Sequence, residues 1–208
     1  MARPTTAKLD QARIRTAALA LVDAEGLEGL SMRRLATALD VSAASLYFHY
    51  ATKDELLEAV AADVLANVDT SAFRRGWEPG VRAWARSLRA ALAAHPRLVP
   101  VLSHAPGRRA DALQRADDVH GGLVAAGWPP REATMIGAAA KYLVFGSALG
   151  SFAEGFAADP EVYAVRYPHL GQAHRLAARA AEVDRESFEF ALEQLIAGLR
   201  ARYAREMS

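Results

Sequence analysis

Between Ser31 and Leu56 the chain reads SMRRLATALDVSAASLYFHYATKDEL, and three helix starts follow one another within it. Ser31 is placed to cap a short helix in which Met32, Leu35, Ala36 and Leu39 fall at i, i+3, i+4 and i+7, so that one face is apolar. Asp40 and Val41 make a tight corner, and Ser42 can cap a further helix. Thr52-Lys53-Asp54-Glu55 is a T-x-x-E capping box that opens another, running to about Asp69. A longer helix precedes all three, from about Lys8 to Glu25, with Ile14, Ala18, Leu21 and Val22 along one stripe and Gly26 as its stop.

The rest of the chain continues in helices. Alternating Val-, Ile- and Thr-rich runs are missing, and neither Asn-Gly nor Asp-Gly marks a hairpin. After Trp77-Glu78-Pro79-Gly80 the spacing predicts helices over about Val81 to Ala94, Arg108 to Ala126, Pro130 to Phe156 and Arg185 to Tyr203. The expected fold class is therefore all-α. A three-helix head occupies residues 1–52, and a larger helical body occupies 53–208. With 52% hydrophobic and 24% charged residues, a chain of 208 residues can bury a substantial core. The window Met135 to Ala153 approaches membrane-spanning length. Its apolarity rests on alanine and glycine, with Lys141 near the middle, so it reads as a helix of a protein core. The N-terminus lacks the pattern of a signal peptide, and no cysteine is present, which fits a cytoplasmic location.

Two short helices joined by a tight corner after a longer one form the outline of a helix-turn-helix unit. Ala36 is small where the second and third helices must approach. Ala43, Ala44, Ser45 and Tyr47 are small or hydrogen-bonding, which suits a helix entering a major groove about 12 Å wide. Tyr47, Phe48, His49 and Tyr50 then follow one another, and four consecutive rings on a helix cannot all be core. The net charge of the chain is +1. Residues 31–53 hold Arg33, Arg34 and Lys53 against the single acid Asp40, a local +2 (3 − 1).

The stretch LSMRRLATALDVSAASLYFHYATKDELLEAV resembles the DNA-binding signature of TetR-type (tetracycline-repressor-like) transcriptional regulators. Its most specific part, L-Y-x-H-(Y/F)-x-x-K-(D/E)-x-L, is met by Leu46, Tyr47, His49, Tyr50, Lys53, Asp54 and Leu56. WEPGVRAWARSLRAALAAHPRLVPVL, AAGWPPREA and FEFALEQLIAGL are similar to the C-terminal domain of the same family. The resemblance implies that Leu46 and Tyr50 face inward, while Tyr47, His49 and Lys53 contact DNA phosphates. Arg33 is the candidate base reader, since arginine can bind guanine bidentately, and Arg34 is expected at phosphate or solvent. Ser42, Ala43, Ala44 and Ser45 offer two hydroxyls and two methyls to base edges, an information-poor surface that DNA shape must supplement. Phe48 lies either at the groove edge or in the packing of the corner. Asp40 stands where glycine is common, and the expected turn is strained but intact.

For the body, the resemblance implies a homodimer on a pseudo-palindromic double-stranded DNA operator, joined through the last two long helices. It also implies a cavity for a small-molecule effector that shifts the fourth helix. Trp84, Leu88, Leu102, His120, Ile136 and Tyr142 are the candidate ligand contacts, and they point to an apolar or aromatic effector. Trp84 and Leu102 stand where tetracycline-binding members place an asparagine and a metal-ligating histidine, with His104 close by, so a magnesium–tetracycline chelate is not the expected ligand. No metal or other cofactor is implied. The alternative is a helix-turn-helix protein without an effector, because an apolar cavity and an apolar core use the same residues. Catalysis is not expected. HExxH, GxSxG, P-loop and GxGxxG motifs are all missing, and Asp117, Asp118 and His120 read as a polar helix face.

Overall fold

The computed structural model describes residues 9–103, 110–164 and 166–206, leaving aside the side chain of Ala110. His104 and the Arg3–Thr6 tail lie outside the described residues. Among the described residues every regular element is helical: α1 (Gln11–Gly29), α2 (Met32–Leu39), α3 (Ala43–Tyr47), α4 (Lys53–Leu65), α5 (Trp77–Ala94), α6 (Val99–Ser103), α7 (Ala110–Ala125), α8 (Pro130–Gly146), α9 (Glu161–Ala164) and α10 (Ala180–Glu206). Short 3-10 turns fill several of the connections. None of these helices is long and apolar enough to cross a membrane. Lys141 of the suspect window is half-buried on α8, its Nζ 5.6 Å from the centre of the Phe145 ring, and burial lowers its pKa.

The chain divides into two compact units. One gathers the described residues of Met1–Asn67 and His95–Ala112, the other those of Val68–Ala94 and Leu113–Ser208. The first thus extends past residue 52 and takes in α4 and α6.

In the first unit Ile14, Ala18 and Val22 of α1 pack with Met32, Leu35, Ala36 and Leu39 of α2, with Leu46 and Tyr50, and with Leu56, Leu57 and Val60 of α4. Leu98, from the turn before α6, closes the cluster. Burying each such aliphatic side chain contributes roughly 1.5–3 kcal/mol, so four helices of modest length hold together through one shared core. Gly26 does interrupt α1, at φ +77°, but the chain resumes a last turn to Gly29. α4 ends at Leu65, short of the expected Asp69. Asp69 is drawn out of the helix because its carboxylate accepts from the Ser71 amide and hydroxyl while its own N–H donates to Ser87 Oγ.

In the second unit α5, α8 and α10 pack on one another. α5 begins at Trp77, four residues before the predicted start, because Pro79 falls in the first turn, where an N–H would have no intrahelical partner. α8 stops at Gly146 instead of reaching Phe156. Gly146, Ser147, Gly150 and Ser151 are weak helix formers, and short pieces replace the predicted continuation. α10 starts at Ala180, before the predicted Arg185. Phe73 is inserted between α5 and α7: a Cβ on Gly80 would fall 2.3 Å from its Cδ1, and one on Gly122 would fall 2.6 Å from its Cβ. Trp77, Trp128 and Tyr203 form a cluster with ring centres 5.1–5.8 Å apart.

Candidate nucleic-acid interface

The corner between α2 and α3 is built on Asp40. Its φ of 55° and ψ of 49° are left-handed, and among the described residues no other non-glycine has positive φ. The Val41 amide donates to Ala36 O at 3.0 Å and the Asp40 amide to Thr37 O at 3.2 Å, the pair of bonds that closes a helix in a Schellman motif. The buried Ala36 supplies the close approach. The turn expected from sequence is therefore intact.

α3 follows at once, with the Ser42 hydroxyl accepting from the Ser45 amide at 3.2 Å. The same hydroxyl lies 2.8 Å from Ser45 Oγ, so the two candidate base-reading hydroxyls are bonded to each other. Ser42 and Ala44 are exposed, and Ala43 and Ser45 are half-buried, Ala43 against the head core. Leu46 is fully buried and anchors this short helix.

The four rings divide. Tyr50 is 4% exposed and belongs to the core, whereas Tyr47 is 52% exposed and Phe48 88%. His49 is half-buried, and the Phe48 ring meets it edge-on at 5.6 Å. Of the two places open to Phe48, packing inside the corner is thus excluded.

The basic residues also separate. Arg33 is exposed, and its guanidinium forms no ion pair among the described residues. Arg34, expected at phosphate or solvent, is exposed and pairs with Glu25 of α1. Lys53 is half-buried, its Nζ donating to Leu27 O at 2.8 Å, which leaves two ammonium hydrogens for another acceptor. The capping box forms with a shift: Thr52 Oγ1 accepts from the Glu55 amide at 3.0 Å, while the Glu55 carboxylate accepts from Ala51, one residue before the cap.

The six candidate ligand contacts differ in burial. Trp84, Leu88 and Ile136 are buried in the second unit. The His120 imidazole is held 3.1 Å from Pro130 O. Tyr142 projects from α8, 77% exposed, and Leu102 packs against the core of the first unit. Among the described residues no cluster of His, Asp or Glu is placed to hold a metal.

Sequence reasoning missed Arg15. Its Nε donates to Asp63 on α4 at 2.5 Å and its Nη1 to the Tyr50 hydroxyl at 3.1 Å. These partners lie 48 and 35 residues away, beyond any local spacing rule.

Residues 14–60 match the family model for bacterial regulatory proteins of the tetR family, and residues 73–203 match that for the tetracyclin repressor-like C-terminal domain. An HTH-type transcriptional regulator of Saccharopolyspora erythraea is 36% identical over 143 residues, an alignment spanning 67% of this chain and 59% of that protein. Tetracycline repressor protein class E of Escherichia coli is 31% identical over 194 residues, covering 89% of this chain and 88% of the repressor. The structure of ActR of Streptomyces coelicolor in complex with actinorhodin superposes with a TM-score of 0.72 at 32% identity, over 94% of this chain and 98% of ActR. With both halves of the chain matched in order, the helix-turn-helix corner and the helical body have one explanation: the chain belongs to the TetR family of bacterial transcriptional regulators.

Proposed function

We propose that the protein is a repressor that binds a pseudo-palindromic operator as a homodimer and is released by a small-molecule effector, acting in the cytoplasm where that DNA lies. The observation that carries the reading is the division of the corner. Tyr50 and Leu46 are buried on one side, while Tyr47, Phe48, Ser42, Ala44 and Arg33 are exposed on the other. Tyr47 and His49 carry polar tips suited to phosphate oxygens, and Lys53 adds a charge-assisted contact beside the N-terminus of α4. Arg33 is the base reader, with Ser42, Ala43, Ala44 and Ser45 against the base edges. DNA binding is assigned to residues 1–52, and effector binding and dimerisation to 53–208.

Two exposed helix faces support the homodimer. On α10, Phe190, Gln194, Ala197, Gly198 and Ala201 are exposed at i, i+4, i+7, i+8 and i+11, a single stripe. On α8, Met135, Tyr142 and Gly146 are exposed, and open space lies over Gly137, Gly146 and Gly198, where a second helix could approach closely. The complex of ActR with actinorhodin supports a small-molecule effector, and the buried Trp84, Leu88 and Ile136 offer an apolar or aromatic one its wall. The ligand-free alternative draws on the same three residues, already buried by protein alone. A saturable thermal shift with any aromatic compound would decide for a cavity.

The test is selection of bound duplexes from random DNA at near-physiological salt. The expected result is a palindrome with half-sites about one helical turn apart. On it, Lys53→Ala should weaken all binding and reduce the salt slope by about one, whereas Arg33→Ala should relax one symmetric pair of positions at a cost of about 1–3 kcal/mol. A selected pool that remains random would overturn sequence-specific recognition.

A further inference from the structure

We propose that Arg15, on α1, is a positioning residue for operator recognition: its guanidinium fixes the corner that carries Tyr47, His49 and Lys53 relative to α4. The inference rests on the DNA-binding reading above. The Tyr50 side chain is 4% exposed, and a buried hydroxyl is destabilising unless it finds a partner. Its partner is Arg15 Nη1, at 3.1 Å. The guanidinium is planar and rigid, so its second bond, Nε to Asp63 at 2.5 Å, sets the direction in which Nη1 points. Three elements therefore meet at one group: α1, the end of the α3 corner, and α4.

Packing alone does not hold the fork. It lines a cleft of about 270 Å³ with Thr16, Leu19, Val60, Asn67 and His95. With open space beside it, the guanidinium is oriented by its hydrogen bonds, and Asp63 decides where it stands. Tyr50 directly follows His49 and lies three residues beyond Tyr47. A shift of the corner by about 1 Å takes a hydroxyl or imidazole out of hydrogen-bond range of a fixed phosphate. A second tie runs parallel: Lys53 Nζ to Leu27 O joins the far end of α1 to the start of α4. Because Asp63 sits on the helix whose displacement would release the operator, moving α4 also moves the fork. The head's binding surface is then altered from within, in addition to any change in the separation of two heads.

The experiment uses the full chain and the operator selected as above. Tyr50→Phe removes one oxygen and leaves the ring in the core; Arg15→Gln and the double variant complete a cycle. Thermal unfolding and operator affinity across a salt series are measured for each. The expected result for Tyr50→Phe is a loss of operator affinity on the order of fivefold in protein that is still fully folded at the assay temperature, the lost hydrogen bond lowering the unfolding midpoint only modestly. The salt slope stays unchanged because no phosphate contact is lost. The double variant should bind no more weakly than Arg15→Gln alone, since both remove the same link. Wild-type affinity in Tyr50→Phe would overturn the proposal. So would an Arg15→Gln variant with a slope smaller by about one, which would put Arg15 itself on a phosphate. Additive losses, or losses that only follow a fall in folded fraction, would overturn it too. Failure of the wild type to select any operator would instead remove the DNA-binding reading itself.

Discussion

The helices of the two units are started by different kinds of contact. In the first, the opening helices are each capped by a side chain three residues upstream: Asp10 accepts from Arg13, Ser31 from Arg34, Ser42 from Ser45 and Thr52 from Glu55. In the second, α8 opens on Pro129 without a side-chain cap. Its ties cross the chain instead: Arg82 to Glu193, Arg200 to Glu78 and Arg202 to Glu132. The Tyr203 hydroxyl adds a bond to Ala126 O. The helix starts of the first unit are specified by short-range rules repeated several times. The second depends on groups 70 to 122 residues apart finding one another. A short helix that must enter a groove needs each boundary set, whereas long packed helices tolerate a loose end.

The largest test of this contrast lies in two adjacent glycines of α7. Gly121 has nothing within 4 Å of an added Cβ, but at Gly122 the new atom would meet Phe73 Cβ at 2.6 Å, close to the backbone where it cannot swing away. Local rules alone treat both substitutions to alanine as stabilising, by about 0.5–1 kcal/mol. Tertiary packing reverses the second, to a net loss of about 1–3 kcal/mol. Trp77, Trp84 and Trp128 all lie in the second unit and are the chain's three tryptophans, so denaturant titration followed by tryptophan fluorescence reads the effect where it occurs. Equal responses at the two positions would mean that this unit, too, is governed locally.

The same distinction explains what could be read before the structure. The caps at Ser31, Ser42 and Thr52 and the apolar Leu46 each follow from neighbours within a few residues, whereas the inward Tyr50 and the left-handed Asp40 were legible through the family resemblance. Errors gathered where propensity and context disagree. Pro79 read as a break because first-turn tolerance depends on where the helix starts, and α8 read as too long because apolar Leu149 and Phe152 continued the pattern through Gly146 and Gly150. At the candidate interface the exposure of Tyr47 and the burial of Tyr50 were readable. The Arg34–Glu25 pair, the Lys53–Leu27 bond and the Arg15 fork were not, because each joins α1 to a later helix. For the ligand contacts, apolar spacing placed Trp84 and Ile136 inside but could not tell that Tyr142 faces outward on the same helix as Ile136.

A smaller effect is expected at a cap. Thr52→Ala removes the hydroxyl that holds the Glu55 amide and should destabilise the start of α4 by about 1 kcal/mol. If the first unit is assembled from local signals, hydrogen exchange should quicken in the first turn of α4 while the α10 amides keep their protection. Uniform loosening of both units would show the boundary between them to be energetically empty.

The smallest effect is expected at the ion pairs. Arg82 donates to both carboxylate oxygens of Glu193, and the hydrogen bond lowers the Glu193 pKa; Glu78 is lowered likewise, first by Arg200 and then by Arg82. The Glu193 carboxylate is nevertheless 45% exposed, so solvent screening limits such a pair to under about 1 kcal/mol, and Glu193→Gln should shift the unfolding midpoint only slightly at neutral pH. Acid amplifies the effect through number. Asp69, Glu78, Glu132, Glu182 and Glu193, all in the second unit, are among the carboxylates held below their ordinary range. A depressed folded-state pKa contributes stability that is complete above the unfolded value, about 4.3 for glutamate, and is lost as pH falls through the lower folded value. Tryptophan fluorescence should therefore register loosening of the second unit below about pH 4, before the α2 and α3 amides of the first unit lose their dispersion in a parallel NMR titration. The reverse order would mean that these distant pairs do not hold the second unit together, and that its stability rests on the aromatic cluster and the Phe73 wedge.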